Sequence, residues 1–356
     1  MLTEACATAS APGKHRYFLM WPDSSAPLRE LNGPRDASHS VPDTSYALAV
    51  LAEAAPLLTG PSRHFYLTKD ADRLPEYGPH VVAVLLLEER SKVPAYVLQV
   101  GAVIRNLPGT PFLGLRLRPT PPKLAALLLF EYLRDCFLRR RSTARVRKEP
   151  PRVSESPRIF RIPLGYQSQQ LLPQRPMSER TLDTFFAGDT ATPFSRNNYR
   201  YWIPPAKTAT RRQLWKVLDS LQKSGEWRIA LSDVRPDEPA AHGRDYQSYS
   251  ERMMNSRICV APRGSSAETY RCYEGLRAGC LVLTNPVPNE PFLRGAPIII
   301  VDSWRQLPSL LRRYARDVET LERYRTAALT WWDKHCSELV IARQLADRLN
   351  RGYGSG

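Results

Sequence analysis

Between positions 256 and 288 the chain reads SRICVAPRGSSAETYRCYEGLRAGCLVLTNPVP, and its parts fit one βαβ unit. The apolar run 258–261 has the composition of a short buried strand, and Pro262-Arg263-Gly264 turns the chain at its end. Ser265 and Glu268 carry the S-x-x-E spacing of a capping box, which places a helix start there. Gly279 then stops that helix in the left-handed cap position. A loop at the carboxyl end of a strand, feeding a helix, is where open α/β sheets bind phosphates. Arg271 and Glu274, three apart on the helix, can both face such a crevice, the guanidinium toward a diphosphate and the carboxylate toward ribose hydroxyls. Arginine suits the first task because its planar fork donates two parallel hydrogen bonds. The same spacing also makes an ordinary surface ion pair, and the capping box needs no ligand. Neither G-x-G-x-x-G nor G-x-x-x-x-G-K-[ST] occurs, which argues against a Rossmann dehydrogenase or a P-loop ATPase.

The elements that must position this loop alternate in kind. Strands are expected at 17–21, 65–67, 81–87 and 96–104, with a helix from Asp43 or Thr44 to 58. Strands alternating with helices imply a parallel sheet covered on both faces. A helix follows Pro121-Pro122 over 123–141, and its apolar residues wrap nearly all round at first, which predicts a buried beginning. Linker composition spans 148–156, a strand 159–162, and Pro163-Leu164-Gly165 turns. A second unit opens near 180, with a strand at 184–188, a helix at 211–223 capped by Thr208, and a strand at 228–231. Helices fill 320–349, where Trp331-Trp332 is read as packing rather than a sugar platform.

The chain has 356 residues, room for about two domains. Its 42% hydrophobic and 24% charged content excludes a disordered tail, a fibre and a small disulfide scaffold. With 51 Lys and Arg against 35 Asp and Glu the net charge is +16, which favours polyanionic partners without naming one. Six cysteines, with no C-x-x-C pair, read as free thiols of a reducing compartment. No secretory signal is visible, and the longest apolar stretches, 81–87 and 124–130, are too short to span a bilayer. The expectation is a soluble, cytoplasmic protein, with a peripheral place at the inner face of a membrane as the alternative.

From Arg134 to Lys148 seven basic residues face one acid, Asp135. Such a run suits a solvated helix end facing its own dipole, or a dock for anionic lipid headgroups or an acidic acceptor. Phe137 is its sole aromatic, too few for single-strand stacking, and no nucleic-acid motif accompanies it, so no nucleic-acid partner is expected.

The ordered set Ser256, Pro262-Arg263-Gly264, Arg271, Glu274 and Leu276-Arg277-Ala278-Gly279-Cys280-Leu281-Val282 resembles the C-terminal domain of exostosin-like glycosyltransferases. Asn289-Glu290-Pro291-Phe292 is similar to that family's next short loop, and Phe185-Phe186-Ala187-Gly188 with Arg196 and Arg200 to its opening. The likeness covers about 185–311. It implies an α/β fold of GT-B type, two Rossmann-like parallel-sheet domains facing across a cleft. An acceptor-side domain would span 1–165, a nucleotide-sugar domain 180–325, and a helix at 326–350 would cross back. The implied activity is inverting sugar transfer without an essential metal. The donor would be a nucleotide-diphosphate sugar, UDP-sugar favoured, and the acceptor a hydroxyl on a glycan, protein, small molecule or lipid-linked carrier. Arg263 and Arg271 would hold the diphosphate, Glu274 the ribose, with Gly264, Ser265 and Ser266 lining the loop and Arg196 and Arg200 nearby. Gly275 stands where the family has a small Ala, and Thr284-Asn285 where it has a different loop.

Inverting transfer needs a base for the acceptor proton and cations for the departing diphosphate. Asp23, after the first strand, and Asp43, before the first helix, are the candidate bases, with His39 behind them; each can equally be a turn or cap residue. Asp70-Ala71-Asp72 is a literal D-x-D, yet Lys69 and Arg73 flank it and a solvated turn is the better reading. Asp233 and Asp237 fall in a polar loop, and no metal is expected. The competing reading is a non-catalytic basic α/β module that binds an anionic polymer or membrane surface.

Overall fold

A computed structural model describes residues 15–21, 28–36, 41–115, 120–148, 153, 158–167, 169–188, 204–233 and 246–351. Two sheets organise them. The first contains β1 (Arg16–Met20), β2 (Arg29–Leu31), β3 (His64–Thr68), β4 (Gly78–Leu85), β5 (Val100–Arg105) and β6 (Ile159–Arg161), in the order β2-β1-β3-β4-β5-β6. Its pairings are parallel apart from the edge pair β1–β2. The second contains β7 (Leu182–Gly188), β8 (Ile229–Asp233), β9 (Ser256–Ala261), β10 (Leu281–Thr284) and β11 (Ile298–Ile300), in the order β11-β10-β9-β7-β8, all parallel. The chain is therefore an α/β protein built on two mainly parallel sheets, the arrangement expected for the GT-B type.

Both faces of the first sheet are covered, and its strands alternate between two cores. Tyr17, Leu19, Phe65, Leu67, Val82 and Val84 point to α1 (Ser45–Ala54) and α8 (Glu338–Arg351). Phe18, Tyr66, Val81, Ala83 and Leu85 pack with Tyr96 and Val97 on the other side. In the second domain Phe186, Ile258, Val260, Leu281 and Leu283 meet α3 (Ala206–Lys223), α6 (Leu307–Tyr314) and Trp304. The opposite face lies under α5 (Tyr270–Arg277) and α7 (Val318–His335).

The structure departs from the expected elements in four places. The edge strand β2 has only three residues and a polar pattern, and its Glu30 binds Arg16 through two bonds of 2.7 and 2.8 Å. The run expected as a strand from 96 begins as turns, since the buried Tyr96 hydroxyl donates to the Asp70 carbonyl and the ladder starts only at Val100. The helix α3 starts two residues before Thr208, its first amide donating to Glu131 at 3.0 Å. Glu131 belongs to α2 (Pro122–Val146), the helix expected to begin buried. Only Leu128 and Val146 of α2 are buried, and its apolar first turns face outward.

The seam between the domains is apolar and continuous. Tyr46 on α1 donates its hydroxyl to Cys336 at 2.6 Å and lies edge-on to Tyr166 and Trp332. Trp331 stacks on His335 and donates to the Phe292 carbonyl, so both tryptophans are packing residues. The helix α8 packs on the first domain, where Asn350 bonds Thr59 and Leu57. Gly165 approaches the Tyr46 ring so closely that a Cβ would lie 2.1 Å from Cγ, and its φ is +71°. Gly165→Ala should destabilise the fold by about 3 kcal/mol or more through overpacking and backbone strain together. Gly60→Ala, at φ +85° with open space, should cost only about 1 kcal/mol. Thermal melts of the pair check this; equal losses would rule out the steric account.

Candidate functional site

The strand β9 ends at Ala261, and the loop 262–269 leads to α5. The helix begins at Tyr270, later than the expected capping box, with Thr269 at its N-cap and no side-chain cap bond. Glu268 is instead buried, and its carboxylate accepts from Tyr273 at 2.9 Å and from Arg161 at 3.4 Å. Burial raises the Glu268 pKa, and the Arg161 cation and Tyr273 hydroxyl oppose the rise. At the other end Gly279 has φ +66°, and bonds from Gly279 to Leu276 and from Cys280 to Gly275 close a Schellman cap. Gly275 is where α5 touches the sheet: a Cβ there would meet Cys259 Sγ at 2.8 Å and Val282 at 2.9 Å. The larger Cys259 fills the space that an alanine at 275 would need.

Asn285 fixes the loop from the second domain. Its side-chain oxygen accepts from the Arg263 amide and from Trp304 Nε1, both at 3.1 Å, and its amide donates to Val301 at 3.0 Å. Thr284 donates to the Ala261 carbonyl at 3.0 Å. The Thr284-Asn285 departure from the family pattern is thus the clamp that holds the turn after β9. Gly264 is not demanded by sterics, since a Cβ would make ordinary 3.5 Å contacts with Ser266 and Thr269.

Four residues of this loop region contact the first domain. Arg263 binds Glu131 at 3.1 Å, with the two side chains 11% and 15% exposed. Burial lowers the Arg263 pKa, and the Glu131 carboxylate pulls it back up. Ser265 lies beside the Glu89 carboxylate. Glu268 meets Arg161, the last residue of β6. Tyr270 donates to the Asp43 carbonyl at 3.3 Å.

Asp43 therefore lies at this contact between the domains, in a 3-10 turn just before α1. It does not cap α1; neither does Thr44, whose hydroxyl donates back to Val41. The Asp43 carboxylate accepts from Gln167 at 2.6 Å and pairs with Lys69 at 3.2 Å, and Lys69 also sits 4.2 Å over the Trp21 ring. Arg271 runs under the end of β7, donating to the Ala187 carbonyl and lying 4.8 Å over the Phe186 ring. Glu274 is buried, accepting from Tyr249 on α4 (Tyr246–Met254) at 2.6 Å and from the Gln167 amide at 3.0 Å. Burial raises its pKa, while the Tyr249 hydroxyl, the Gln167 amide and the Arg271 and Arg277 cations oppose that. In this arrangement Glu274 ties α5 to the interdomain connection. Asp23, His39, Arg196, Arg200 and Asp237 lie outside the described residues, and Asp233 closes β8.

Glu89 is the residue near the loop that sequence reasoning missed. It follows β4, flanked by Leu87 and Ser91, which hold φ of 56° and 55° without being glycine. Such strain persists only where surroundings over-determine it. Here the buried pair Glu88–Arg105, at 3.0 Å, accepts amides of Arg90 and Lys92 and forces the loop's shape. Glu89 is an exposed residue by surface area, yet desolvation of its carboxyl raises its pKa, opposed by Ser265, Lys207 and Lys69. The acidic pair Glu88-Glu89 at a strand end was the available signal. Around the loop, Arg161 Nε and Nη1, Arg263 Nε, Thr269 Oγ1 and Arg271 Nε are buried with no hydrogen-bond partner among the described residues.

The D-x-D residues form a solvated turn: Asp70 accepts the Asp72 and Arg73 amides, and Asp72 pairs with Lys92 and Arg145. His64, Glu76 and His80 could hold a metal ion, their ligand atoms lying within 4.8 Å of one another. They sit at the amino ends of β3 and β4, away from the groove, and Glu76 bonds both rings at 2.8 and 2.7 Å. Five described cysteines are free thiols.

A family model described as the RXYLT1 C-terminal domain matches residues 198–346, a span that includes Arg263, Arg271 and Glu274. The chain is similar to ribitol-5-phosphate xylosyltransferase 1 of Homo sapiens, 23% identical over 144 residues, 35% of this chain and 32% of the relative. The similarity thus spans about a third of that protein's length. Among solved structures, an alpha-glucosyltransferase with UDP-glucose and DNA containing an abasic site has a TM-score of 0.39 at 10% identity, over 87% of this chain and 84% of that one. An alpha-glucosyltransferase with UDP and a mismatched 13-mer DNA scores 0.38 at 10%, over 94% and 99%. The GtfA/B complex scores 0.36 at 10%, over 86% of this chain and 61% of that one. Scores this low carry nothing about chemistry. The exostosin-like resemblance rests on the motifs alone, while the matched family is described by a xylosyltransferase.

Proposed function

We propose that this chain transfers a sugar from a nucleotide-diphosphate sugar, UDP-sugar favoured, to an acceptor hydroxyl with inversion and without an essential metal. The observation that supports the reading is the loop 262–269 at the carboxyl end of β9, with Arg263 in it, Arg271 on the helix that follows, and buried polar atoms without hydrogen-bond partners around them. Four of those five atoms are N–H donors and the fifth is a hydroxyl, a set that suits an anion. The similarity to a xylosyltransferase family supports the same class.

In this reading the diphosphate lies on the loop, against Arg263, Arg271 and Ser265. Its entry separates Ser265 from Glu89 and replaces Glu131 as the counter-charge of Arg263. The anomeric carbon then lies between the loop and the first-domain carboxylates. The acceptor oxygen bonds to that carbon as the bond to the diphosphate breaks. The acceptor proton passes to Glu89, whose raised pKa makes it the stronger base. Asp43, with both oxygens already engaged, positions Lys69 and the connection at Gln167. The guanidinium groups stabilise the leaving diphosphate. The printed name of the human relative joins a xylosyl donor to ribitol-5-phosphate. With the net charge of +16, it supports a phosphate-bearing acceptor hydroxyl, on a glycan, a protein or a lipid-linked carrier.

Arg271→Ala should weaken UDP binding by about tenfold or more in titration calorimetry, since it removes a charge-assisted contact; unchanged affinity would refute the assignment. Glu89→Gln should lower turnover about 10²- to 10⁴-fold while UDP affinity holds. Because the Glu89 carboxyl is raised above its ordinary 4.5, it loses its proton only above that pH. Wild-type kcat should therefore rise through a limb displaced upward from 4.5, and that limb should vanish in Glu89→Gln. A limb that survives the substitution would assign the base elsewhere, with Asp43→Asn the next variant to profile.

A further inference from the structure

We infer that the outward face of α2 docks on an anionic lipid bilayer, lying in the plane of the surface. Leu129, Phe130, Leu133 and Phe137 are 45%, 66%, 57% and 63% exposed. With the exposed Ala126 they recur at i, i+3, i+4, i+7 and i+11, one stripe along a helix. An apolar stripe of this size on the outside of a protein marks a contact surface. Along the same side the helix continues into exposed Arg140, Arg141, Arg147 and Lys148. A groove of about 600 Å³ lies beside them, lined by Arg139, Arg140, Thr143, Arg147 and Lys148.

The two acids of α2 do not dilute this charge. Glu131 is turned inward to Arg263 and the start of α3, and Asp135 is held by Arg134 with only 16% of its side chain exposed. Apolar anchors followed by uncompensated cations are the two requirements of an interfacial helix on anionic lipid. Among the described residues no helix is long and apolar enough to cross a membrane, so α2 lies on the surface rather than through it. A second copy of the chain fits less well. Stacking two such faces brings basic ends against basic ends, or against bare apolar turns, with no carboxylate to answer them.

The test is co-sedimentation of the full chain with vesicles of phosphatidylcholine alone and of phosphatidylcholine mixed equally with phosphatidylglycerol. Binding is expected to the mixed vesicles only, weakening as salt rises. Phe130→Ser/Phe137→Ser and Arg140→Glu/Arg141→Glu should each lower it by about tenfold or more without moving the melting temperature. Arg312→Glu/Arg313→Glu, exposed on α6 and making the same change in net charge, should bind as wild type. Equal losses in the α6 variant would reduce the effect to net charge and overturn the proposal. So would wild-type binding by both α2 variants, no binding by the wild type, or a dimer that the phenylalanine variant splits. Docking is read without substrate, so a failure of sugar transfer leaves this result intact.

Discussion

A guanidinium taken out of water must find an anion, and for Arg263 that anion comes from the other domain. At 3.1 Å and an effective dielectric near 20, the pull of Glu131 on Arg263 is about 5 kcal/mol. Removing both charges from water costs several kcal/mol per ion, so the net gain is near zero. The pair therefore holds register across the groove without locking it. In the proposed function a diphosphate, with more charge than one carboxylate, would compete for Arg263 on favourable terms. The same glutamate accepts the first amide of α3, which fixes the helix where the second domain meets α2.

The other crossings share this logic with different weights. Glu268 and Glu274 are buried acids whose pKa values rise on burial, and each is surrounded by donors that restrain the rise. A carboxyl raised in the folded state stabilises the fold below its unfolded pKa and loses that contribution as pH climbs through the folded value. These two acids thus favour the folded chain at acidic pH, whereas Glu76, lowered to about 2, does the reverse. Burial alone would raise Glu76, but the bonds from His64, His80 and Tyr66 outweigh it. Its contribution is present above 4.5 and is lost as pH falls toward 2. The groove and the far end of the first sheet therefore respond to acid with opposite signs.

What could be read from the chain was what depends on local pattern. The strands β3, β4, β9 and β10, and the left-handed stop at Gly279, follow from apolar runs bounded by Gly and Pro. The capping box failed because S-x-x-E reports only a spacing. Glu268 gains more from Arg161 and Tyr273, which come from 107 and 5 residues away, than from a helix end. The clamp at Asn285 and the partners of Glu274 were illegible for the same reason, being made by residues distant in sequence. Glu89 was hidden by its strained loop, whose shape is set by the buried Glu88–Arg105 pair.

The largest error of expectation, the burial of α2, is the most informative. An all-round apolar start looks the same whether a helix is covered by its own protein or by something else. Hydrophobicity in a sequence states that water will be excluded, not by what. Here the inward side of α2 is spent on Glu131, Leu128 and Val146, and the first domain already covers its sheet with other segments on that side. The remaining stripe has no protein partner among the described residues, and its cations continue it. One helix thus serves two masters: its inner face sets the charge balance of the groove through Arg263, and its outer face meets whatever the surrounding medium supplies. Binding on the outside that shifts α2 must shift Glu131 with it, because helices move as rigid packed elements.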